Sequence, residues 1–277
     1  MGESDIFEML NRQLPNNRLA MAAVPFMEIS YDDFVDLLYA EIQRHIEKLE
    51  CDAEQLQSLD EDSITGNIIR MLNAGQTFKA SAQTYQGGAV DLTVELQQYK
   101  WIAEAKKLTS NEKVFEGLLQ LLTRYAKRDS QAGLLIYVLT GNFSNRKNGW
   151  KTYLSKGGGW ERYVNERKEE EYREDLKQLI SGNSFTANEP YYFDSEIPLE
   201  RGTPLKVRHF FCDFVCQPMD SSGTTAKKHR QGQALNMLEA MFEQSIAVDS
   251  VPLDLQAVEK ALSLLFREVK KGKKASK

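Results

Sequence analysis

The sequence predicts a mixed α/β protein of the α+β type, with a mixed central sheet and helices packed on both of its sides. Three observations predict this fold class. Apolar residues recur at helical spacing over 31–49 and again near the C-terminus, while over 77–108 the period changes to two. A run that is apolar on both faces, 133–139, is typical of a central strand covered by helices.

The composition is that of a globular chain of 277 residues. Hydrophobic residues make up 42% and charged residues 27%, which excludes the disordered, collagen-like and fibrous classes. No apolar run approaches the roughly 20 residues that span a bilayer, and the first residues lack the basic start and apolar stretch of a signal peptide. Three cysteines are too few for a disulfide framework. We therefore expect a cytoplasmic protein with no membrane partner.

The predicted elements begin with two amphipathic helices and an antiparallel meander of three strands. The first helix covers 31–49, and the second begins in the acidic group 60–63. Tight-turn residues at 86–88 predict that the first two strands form a hairpin. The strands are predicted over 77–85, 89–96 and 100–108.

A helix over 111–127 and the buried strand at 133–139 complete the order αβββαβ. The rest of the chain predicts a glycine-rich turn at 156–160 and a charged helix over 161–180. A proline-marked loop then leads to a late strand over 205–216, and two terminal helices follow over 228–244 and 253–269. These patterns divide the chain into an N-terminal helical segment (1–58), the αβββαβ core (59–145) and a C-terminal extension packed on the core (146–277).

Three ionisable residues fall together in the meander. Glu104 and Lys106 are two positions apart and therefore leave the same face of the third strand. A hairpin partner can bring Asp91 beside them. Two carboxylates at that distance repel each other unless a hard cation lies between them, and Mg²⁺ prefers one or two carboxylates together with waters and phosphate oxygens. Because an ammonium group beside such a cation can hold a water or stabilise charge on a phosphate, these residues predict phosphodiester hydrolysis.

The order of elements, with GAVD at 88–91 and IAEAK at 102–106, resembles the PD-(D/E)xK nuclease superfamily, which has the restriction-endonuclease-like fold. The resemblance covers about 60–139. It implies that Asp91 and Glu104 bind the metal and that Lys106 positions the attacking water. In many relatives an acid of the first core helix also reaches the metal, and Glu61 is the best match, with Asp62 close behind. The implied activity is that of an endonuclease acting on DNA, with RNA left open, in restriction or anti-phage defence. The implied cofactor is Mg²⁺, for which Mn²⁺ can substitute.

Two other interpretations compete with the nuclease. The chain can be a catalytically silent relative that binds nucleic acid or a protein partner. Alternatively, the charged residues of the second and third strands form the solvated face of an edge strand with cross-strand charge partners. That interpretation places Glu104, Lys106 and Lys107 opposite Asp91, Thr93 and Glu95.

Histidine and cysteine residues near the C-terminus raise the question of a zinc site. Such a site would use His209, Cys212, Cys216 and His229. Thiols that alternate with aromatic residues are more often core residues than ligands, and we interpret Cys212 and Cys216 in that way. A Ser-His-Asp triad is left open, although the sequence holds no nucleophile elbow.

Basic and aromatic residues are mixed directly after the buried strand. Such a mixture suits contacts to a nucleic-acid backbone and stacking on bases. The net charge of -5 argues against a general nucleic-acid coat but leaves a local basic groove open. The predicted nucleic-acid contacts are Arg146, Lys147, Lys151 and Lys156, among the aromatic residues Trp150, Tyr153 and Trp160.

The sequence contains no helix-turn-helix, zinc-finger or NTPase motif that could direct or restrain a nuclease, so we expect a partner to do so. A basic cluster at 227–230 is interpreted as solvated surface rather than as a recognition element. We therefore expect a homo-oligomer or a targeting or regulatory protein subunit, with the helix at 31–49 and the terminal helices as contact faces.

Overall fold

The computed structural model describes residues 21, 24–82, 90–126, 128–199, 202–216 and 227–266, with the side chains of the last range described from Arg230 onward. Nine α-helices lie in this part of the chain. They are α1 (Tyr31–Cys51), α2 (Ala53–Leu56), α3 (Glu61–Ala74), α4 (Asn111–Gln120), α5 (Phe143–Leu154), α6 (Gly159–Arg167), α7 (Glu170–Ser181), α8 (Lys227–Ile246) and α9 (Leu255–Phe266). A π-helical segment, Leu121–Tyr125, continues α4.

In the same described part of the chain, seven strands form one mixed sheet. They are β1 (Lys79–Ser81), β2 (Leu92–Leu96), β3 (Tyr99–Lys107), β4 (Gln131–Val138), β5 (Ser184–Asn188), β6 (Tyr192–Ile197) and β7 (Leu205–Asp213). The strand order is β1-β2-β3-β4-β7-β6-β5. The three central strands β3, β4 and β7 are parallel, and the outer pairs on both sides are antiparallel. The structure therefore confirms the predicted mixed α/β class.

Side-chain caps fix where the helices around the core begin. The Ser30 side chain accepts a hydrogen bond from the Asp33 backbone amide, and the Asp33 carboxylate accepts one from the Ser30 amide, so α1 begins with a capping box. Asp60 caps α3 by accepting from the Ser63 amide, and Ser110 caps α4 in the same way. These caps fix the first turns of α3 and α4, which pack on opposite faces of the sheet.

The sheet separates two hydrophobic clusters. On one face, α1 and α3 pack against the strands through residues such as Phe34, Leu38 and Ile68. On the other face, α4, α5 and α6 cover the sheet through residues such as Phe115 and Trp150. Both faces of β4 are buried, as its continuous apolar run predicts.

The order αβββαβ is present from α3 to β4, with strands shorter than predicted. The predicted turn at 86–88 and the beginning of the second predicted strand lie outside the described residues. In the described part of the chain, no helix is long and apolar enough to cross a membrane.

The prediction of one charged helix over 161–180 is wrong, because two helices, α6 and α7, meet at Lys168 in extended conformation. At 100° per residue, the twelve residues from Val164 to Leu176 rotate a single helix by about a third of a turn beyond whole turns, so their apolar side chains would lie on different faces. The break between α6 and α7 lets both side chains face the sheet, since Val164 and Leu176 both pack on the hydrophobic cluster beneath α4, α5 and α6.

Candidate active site

The candidate site lies near the carboxyl end of β3, where α3 and β2 begin. Glu104 and Lys106 leave β3 on the side of α4, and the stem of Lys106 lies beside Gly117 in that helix. Ligand sites in sheets with parallel strands are typically found at the carboxyl ends of those strands. The position of the cluster therefore agrees with a binding site.

Lys106 is the centre of the cluster. Its Nζ donates a hydrogen bond to Glu104 Oε1 at 2.7 Å and another to Glu61 Oε1 at 3.3 Å. Asp91 Oδ2 is 3.6 Å from the same nitrogen. The structure thus brings together all four residues that the sequence singles out, from α3, from the residue before β2, and from β3.

Backbone amides hold two of the carboxylates in place. Asp91 Oδ2 accepts a hydrogen bond from the Ala105 amide at 2.8 Å, and Glu61 Oε2 accepts one from the Lys107 amide at 2.6 Å. Asp62 is exposed to solvent, so Glu61 is the acid of α3 that reaches the cluster. Each fixed carboxylate keeps its orientation without depending on Lys106.

The first turn of α3 is tied to the central strand as well. The Thr65 hydroxyl donates to the Glu61 carbonyl oxygen at 3.0 Å and lies 2.8 Å from the hydroxyl of Tyr137 in β4. This link positions the helix start, and therefore Glu61, relative to the sheet.

Burial distinguishes the cluster from an ordinary charged surface. The Glu104 side chain is 3% exposed and that of Lys106 is 14% exposed, while β3 lies between β2 and β4 rather than at an edge. Lys107 is buried too. The solvated edge-strand interpretation is therefore wrong. Glu61 and Asp91 remain partly exposed, so the cluster is open to solvent on their side.

The buried charges shift each other's proton affinity. Burial, together with the charge of Asp91, raises the pKa of Glu104 from 4.5 to about 7, although Lys106 acts in the opposite direction. Burial alone lowers the pKa of Lys106, yet the charges of Glu104, Glu61 and Asp91 outweigh it and hold the pKa above its ordinary value. The ammonium group of Lys106 is therefore charged at neutral pH, whereas the carboxyl group of Glu104 titrates near neutral pH.

The cluster has features that fit a hard dication. Glu104 Oε2 is buried and has no hydrogen-bond partner, and three ionised carboxylates with one ammonium leave a net charge of -2. In the part of the chain that the structure describes, no three Asp, Glu, His or Cys side chains are arranged as metal ligands. We attribute this to the ammonium of Lys106, which lies among the carboxylates. A cation bound by these acids requires Lys106 to move away from Glu104.

One glycine that the sequence interpretation did not single out shapes the site. A Cβ atom at Gly117 would lie 2.7 Å from Cγ of Lys106, so only glycine leaves room for the lysine stem in this position. The available signal was a glycine in the interior of a predicted amphipathic helix, where it costs about 1 kcal/mol relative to alanine and usually has a packing reason.

The zinc interpretation fails on the geometry of β7. Cys212 packs among Phe210 and Phe214 in the cluster beneath α1, whereas His209 points to the opposite face of the sheet. Burial raises the pKa of the Cys212 thiol well above its ordinary value, which keeps it protonated. The interpretation of Cys212 as a core residue is confirmed. The side chain of His229 lies outside the described residues.

A buried hydrogen-bond chain excludes His209 as the base of the Ser-His-Asp triad that the sequence leaves open. The indole nitrogen of Trp150 donates to His209 Nδ1 at 3.2 Å, so the proton of the neutral ring is on Nε2, which donates to Ser195 Oγ at 2.9 Å. Burial lowers the pKa of His209 to about 3. His209 therefore cannot take a proton from Ser195, and both side chains are sealed from solvent.

The expected stacking of bases on aromatic residues is wrong, because Trp150, Tyr153 and Trp160 are buried in the core. A sequence that alternates basic and aromatic residues on a helix places the aromatic residues inward when that helix covers a sheet. Among the residues that the structure describes, these three have no face open to a base.

The four basic residues differ in their accessibility. Arg146 donates to the carbonyl oxygens of Leu108 and Thr109, and Lys147 is buried and donates to Asn188 Oδ1 at 3.2 Å. Lys151 lies over the ring of Phe185, and Lys156 is exposed. Arg146 and Lys147 therefore fasten α5 to its neighbours, and Lys156 is the residue most open to a phosphate. In the second basic cluster, the side chains of 227–229 lie outside the described residues.

Comparisons with protein family models, with curated proteins and with solved structures found no match to this chain.

Proposed function

We propose that the protein is a Mg²⁺-dependent endonuclease that hydrolyses phosphodiester bonds of DNA. The observation that carries the proposal is the convergence of Glu61, Asp91 and Glu104 on one ammonium group, that of Lys106, at the carboxyl end of a central strand. These are the residue types and the positions that the PD-(D/E)xK motif leads one to expect.

Energetics favour a functional role over a structural one. Burying a network of ionisable groups is rarely the most stable choice, because desolvation offsets the attraction between the charges. A buried carboxylate whose pKa is raised by burial and by a second acid, in a cluster open to solvent on one side, is typical of a functional site. The cost in stability is explained if the cluster serves chemistry.

The roles of the side chains follow from their positions. Asp91, Glu104 and Glu61 are the acids that would hold the metal. Bound there, Mg²⁺ supplies charge for the phosphate oxygens and lowers the pKa of a water, and Mn²⁺ offers the same coordination. The Lys106 ammonium, which stays protonated, can donate hydrogen bonds to the attacking water or to a phosphate oxygen. Asp91 and Glu61 keep their orientation through the amides of Ala105 and Lys107.

A catalytically silent, nucleic-acid-binding relative is the second candidate. It is favoured by the direct bond between Lys106 and Glu104, because this bond compensates the charge of Glu104 without a cation. The two candidates differ in one outcome: the silent protein can retard DNA in a gel, but it cannot cut it.

Cleavage assays on supercoiled plasmid, linear DNA and RNA, each with and without Mg²⁺, test the proposal. The Asp91→Asn, Glu104→Ala and Lys106→Ala proteins should lose cleavage by a factor of 100 or more, on the order of one lost transition-state contact. Glu95→Ala is the matched control, because Glu95 lies on β2 but pairs with Lys79 at the surface. Retained cutting by Glu104→Ala, or loss of cutting by the control, would overturn the assignment.

A further inference from the structure

The hairpin of α8 and α9 exposes an unusual amount of apolar side chain. Among the described residues, eight of the eleven large apolar side chains that are exposed lie between 235 and 266. We call them the α8–α9 stripe, and they are Leu235, Phe242, Ile246, Val251, Leu253, Leu255, Leu262 and Phe266.

The two helices carry the same spacing. Leu235, Phe242 and Ile246 are separated by seven and four residues, and on α9 the same intervals separate Leu255, Leu262 and Phe266. Seven residues make almost two turns, so the side chains of each helix line up along one side of it, as in the seam of a coiled coil. Each helix therefore presents a continuous apolar line.

The hairpin is fixed to the rest of the molecule. Asn236 donates to the Gln57 carbonyl oxygen at 2.7 Å, and Glu239 pairs with Lys113 at 3.2 Å. Beyond α8, the Val248 amide donates to Glu112 at 2.6 Å. The stripe is thus carried by a hairpin that is anchored on its inner side rather than by a loose tail.

We propose that the α8–α9 stripe binds the same surface of a second copy of this chain, so that two hairpins form a four-helix bundle about a twofold axis. A twofold contact needs one self-complementary surface. Two stripes with equal intervals satisfy this need, because α8 of one protomer can lie along α9 of the other with both seams in register.

The exposed area supports a second copy as the occupant. A large apolar side chain carries on the order of 100 Å² of apolar surface, and the eight members are 41–78% exposed, which amounts to roughly 500 Å². A standard interface buries about 800 Å² per partner, of which about 65% is apolar in homodimers, or roughly 500 Å². The stripe therefore supplies the apolar part of one half of such an interface.

Two of the five acidic residues between 239 and 259 are paired with basic residues of the core. Glu239 and Asp249 are acidic residues of this region, and they pair with Lys113 and Arg162 of the core. Their carboxylates are thereby partly neutralised, which reduces the repulsion between two copies.

Sedimentation equilibrium over a concentration series tests the proposal. The wild-type protein should have twice the chain mass of 31.6 kDa, and Phe242→Glu and Leu262→Glu should each weaken dimerisation at least tenfold. Phe26→Glu is the matched control, because Phe26 is 91% exposed outside the hairpin, and it should leave the dimer unchanged. Circular dichroism reports whether each variant is folded.

Hydrogen exchange on the wild-type protein gives a second measurement that does not depend on the variants. Amides over 235–266 should be better protected at concentrations where the dimer forms than after dilution. A wild-type monomer at every concentration overturns the proposal, whether the stripe is then found covered by another segment of the chain or by a different protein. A dimer that survives both glutamate substitutions overturns it too. Neither outcome bears on cleavage, which is measured separately.

Discussion

Replacing Glu104 by glutamine should remove a pH dependence from the stability of the protein. The folded chain holds the pKa of Glu104 at about 7, against 4.5 for an ordinary glutamate, because of burial and the nearby charge of Asp91. The folded state therefore binds more protons than the unfolded state between these values. By linkage, the free energy of unfolding falls as the pH rises through this window and is level above it.

The size of the effect follows from the two pKa values. One pH unit corresponds to about 1.4 kcal/mol for one proton, so between pH 5 and pH 8 this carboxyl group lowers the free energy of unfolding by about 2.5 kcal/mol. The Lys106 ammonium adds no slope here, since the surrounding acids hold its pKa above the ordinary value. Burial lowers the pKa of His45 to about 4 and that of His209 to about 3, so these two histidines make the free energy of unfolding rise with pH. Because both proteins contain them, their contributions cancel in the difference between wild type and variant, which leaves the contribution of Glu104.

Urea unfolding at pH 5, 6, 7 and 8 measures this difference. From pH 5 to pH 8, the free energy of unfolding of the Glu104→Gln protein should rise by about 2.5 kcal/mol relative to that of the wild type. The cost of burying the amide does not change with pH and therefore does not affect this difference. Glu95→Gln, at the surface of β2, should follow the wild type within about 0.5 kcal/mol. If the free energies of unfolding of wild type and Glu104→Gln change with pH in parallel, the folded protein does not raise the pKa of Glu104 and the reasoning is refuted.

The same experiment includes a metal arm. A dication binds the ionised carboxylate and not the protonated one, so Mg²⁺ should stabilise the wild type more at pH 8 than at pH 5. The stabilisation should shrink in Glu104→Gln. Equal stabilisation of both proteins would place the cation elsewhere.

Three further predictions concern the cation, the glycine beside Lys106 and the buried histidine. Cleavage should occur with Mg²⁺ or Mn²⁺ and not with Ca²⁺, whose coordination is looser; cleavage in EDTA would refute a metal mechanism. Gly117→Ala should reduce cleavage at least tenfold, because its Cβ displaces Lys106, whereas Gly149→Ala in α5, which meets no atom within 4 Å, should cut normally. Trp150→Phe should leave cleavage unchanged but lower the free energy of unfolding by about 1–3 kcal/mol, measured in urea, because His209 loses its donor.

The elements that could be predicted from the sequence are those in which apolar residues recur at a regular spacing. The run from α3 to β4 switches from helical to alternating spacing and back, and each switch matches an element. β5 and β6 were predicted as loop because Pro190 separates them and Pro198 follows the second, and because Ser195 interrupts the apolar residues on the buried side of β6. α5 was missed because its buried residues are few and include Lys147, so its buried side is not marked by a regular apolar spacing.

The candidate site could be predicted where strand geometry alone decides it. A spacing of two places Glu104 and Lys106 on one face of any strand, and the hairpin register then brings Asp91 near them. The third acid could not be chosen in this way, because neighbouring residues on a helix point 100° apart and a small rotation of α3 exchanges Glu61 for Asp62. The amide of Lys107, which holds Glu61, is visible only in three dimensions.

The charge balance of the cluster links its two interpretations. Three carboxylates against one ammonium leave two negative charges in a largely buried place, and the structure meets this by keeping Glu104 close to protonation at neutral pH. A proton on Glu104 and a dication among the carboxylates are alternative ways to reduce the same repulsion. Lys106 bonds to Glu104 in the first case and must release it in the second. Buried ion networks can often be replaced as a whole by apolar residues without loss of stability, so we take the surplus of negative charge as the feature that most favours a cation site.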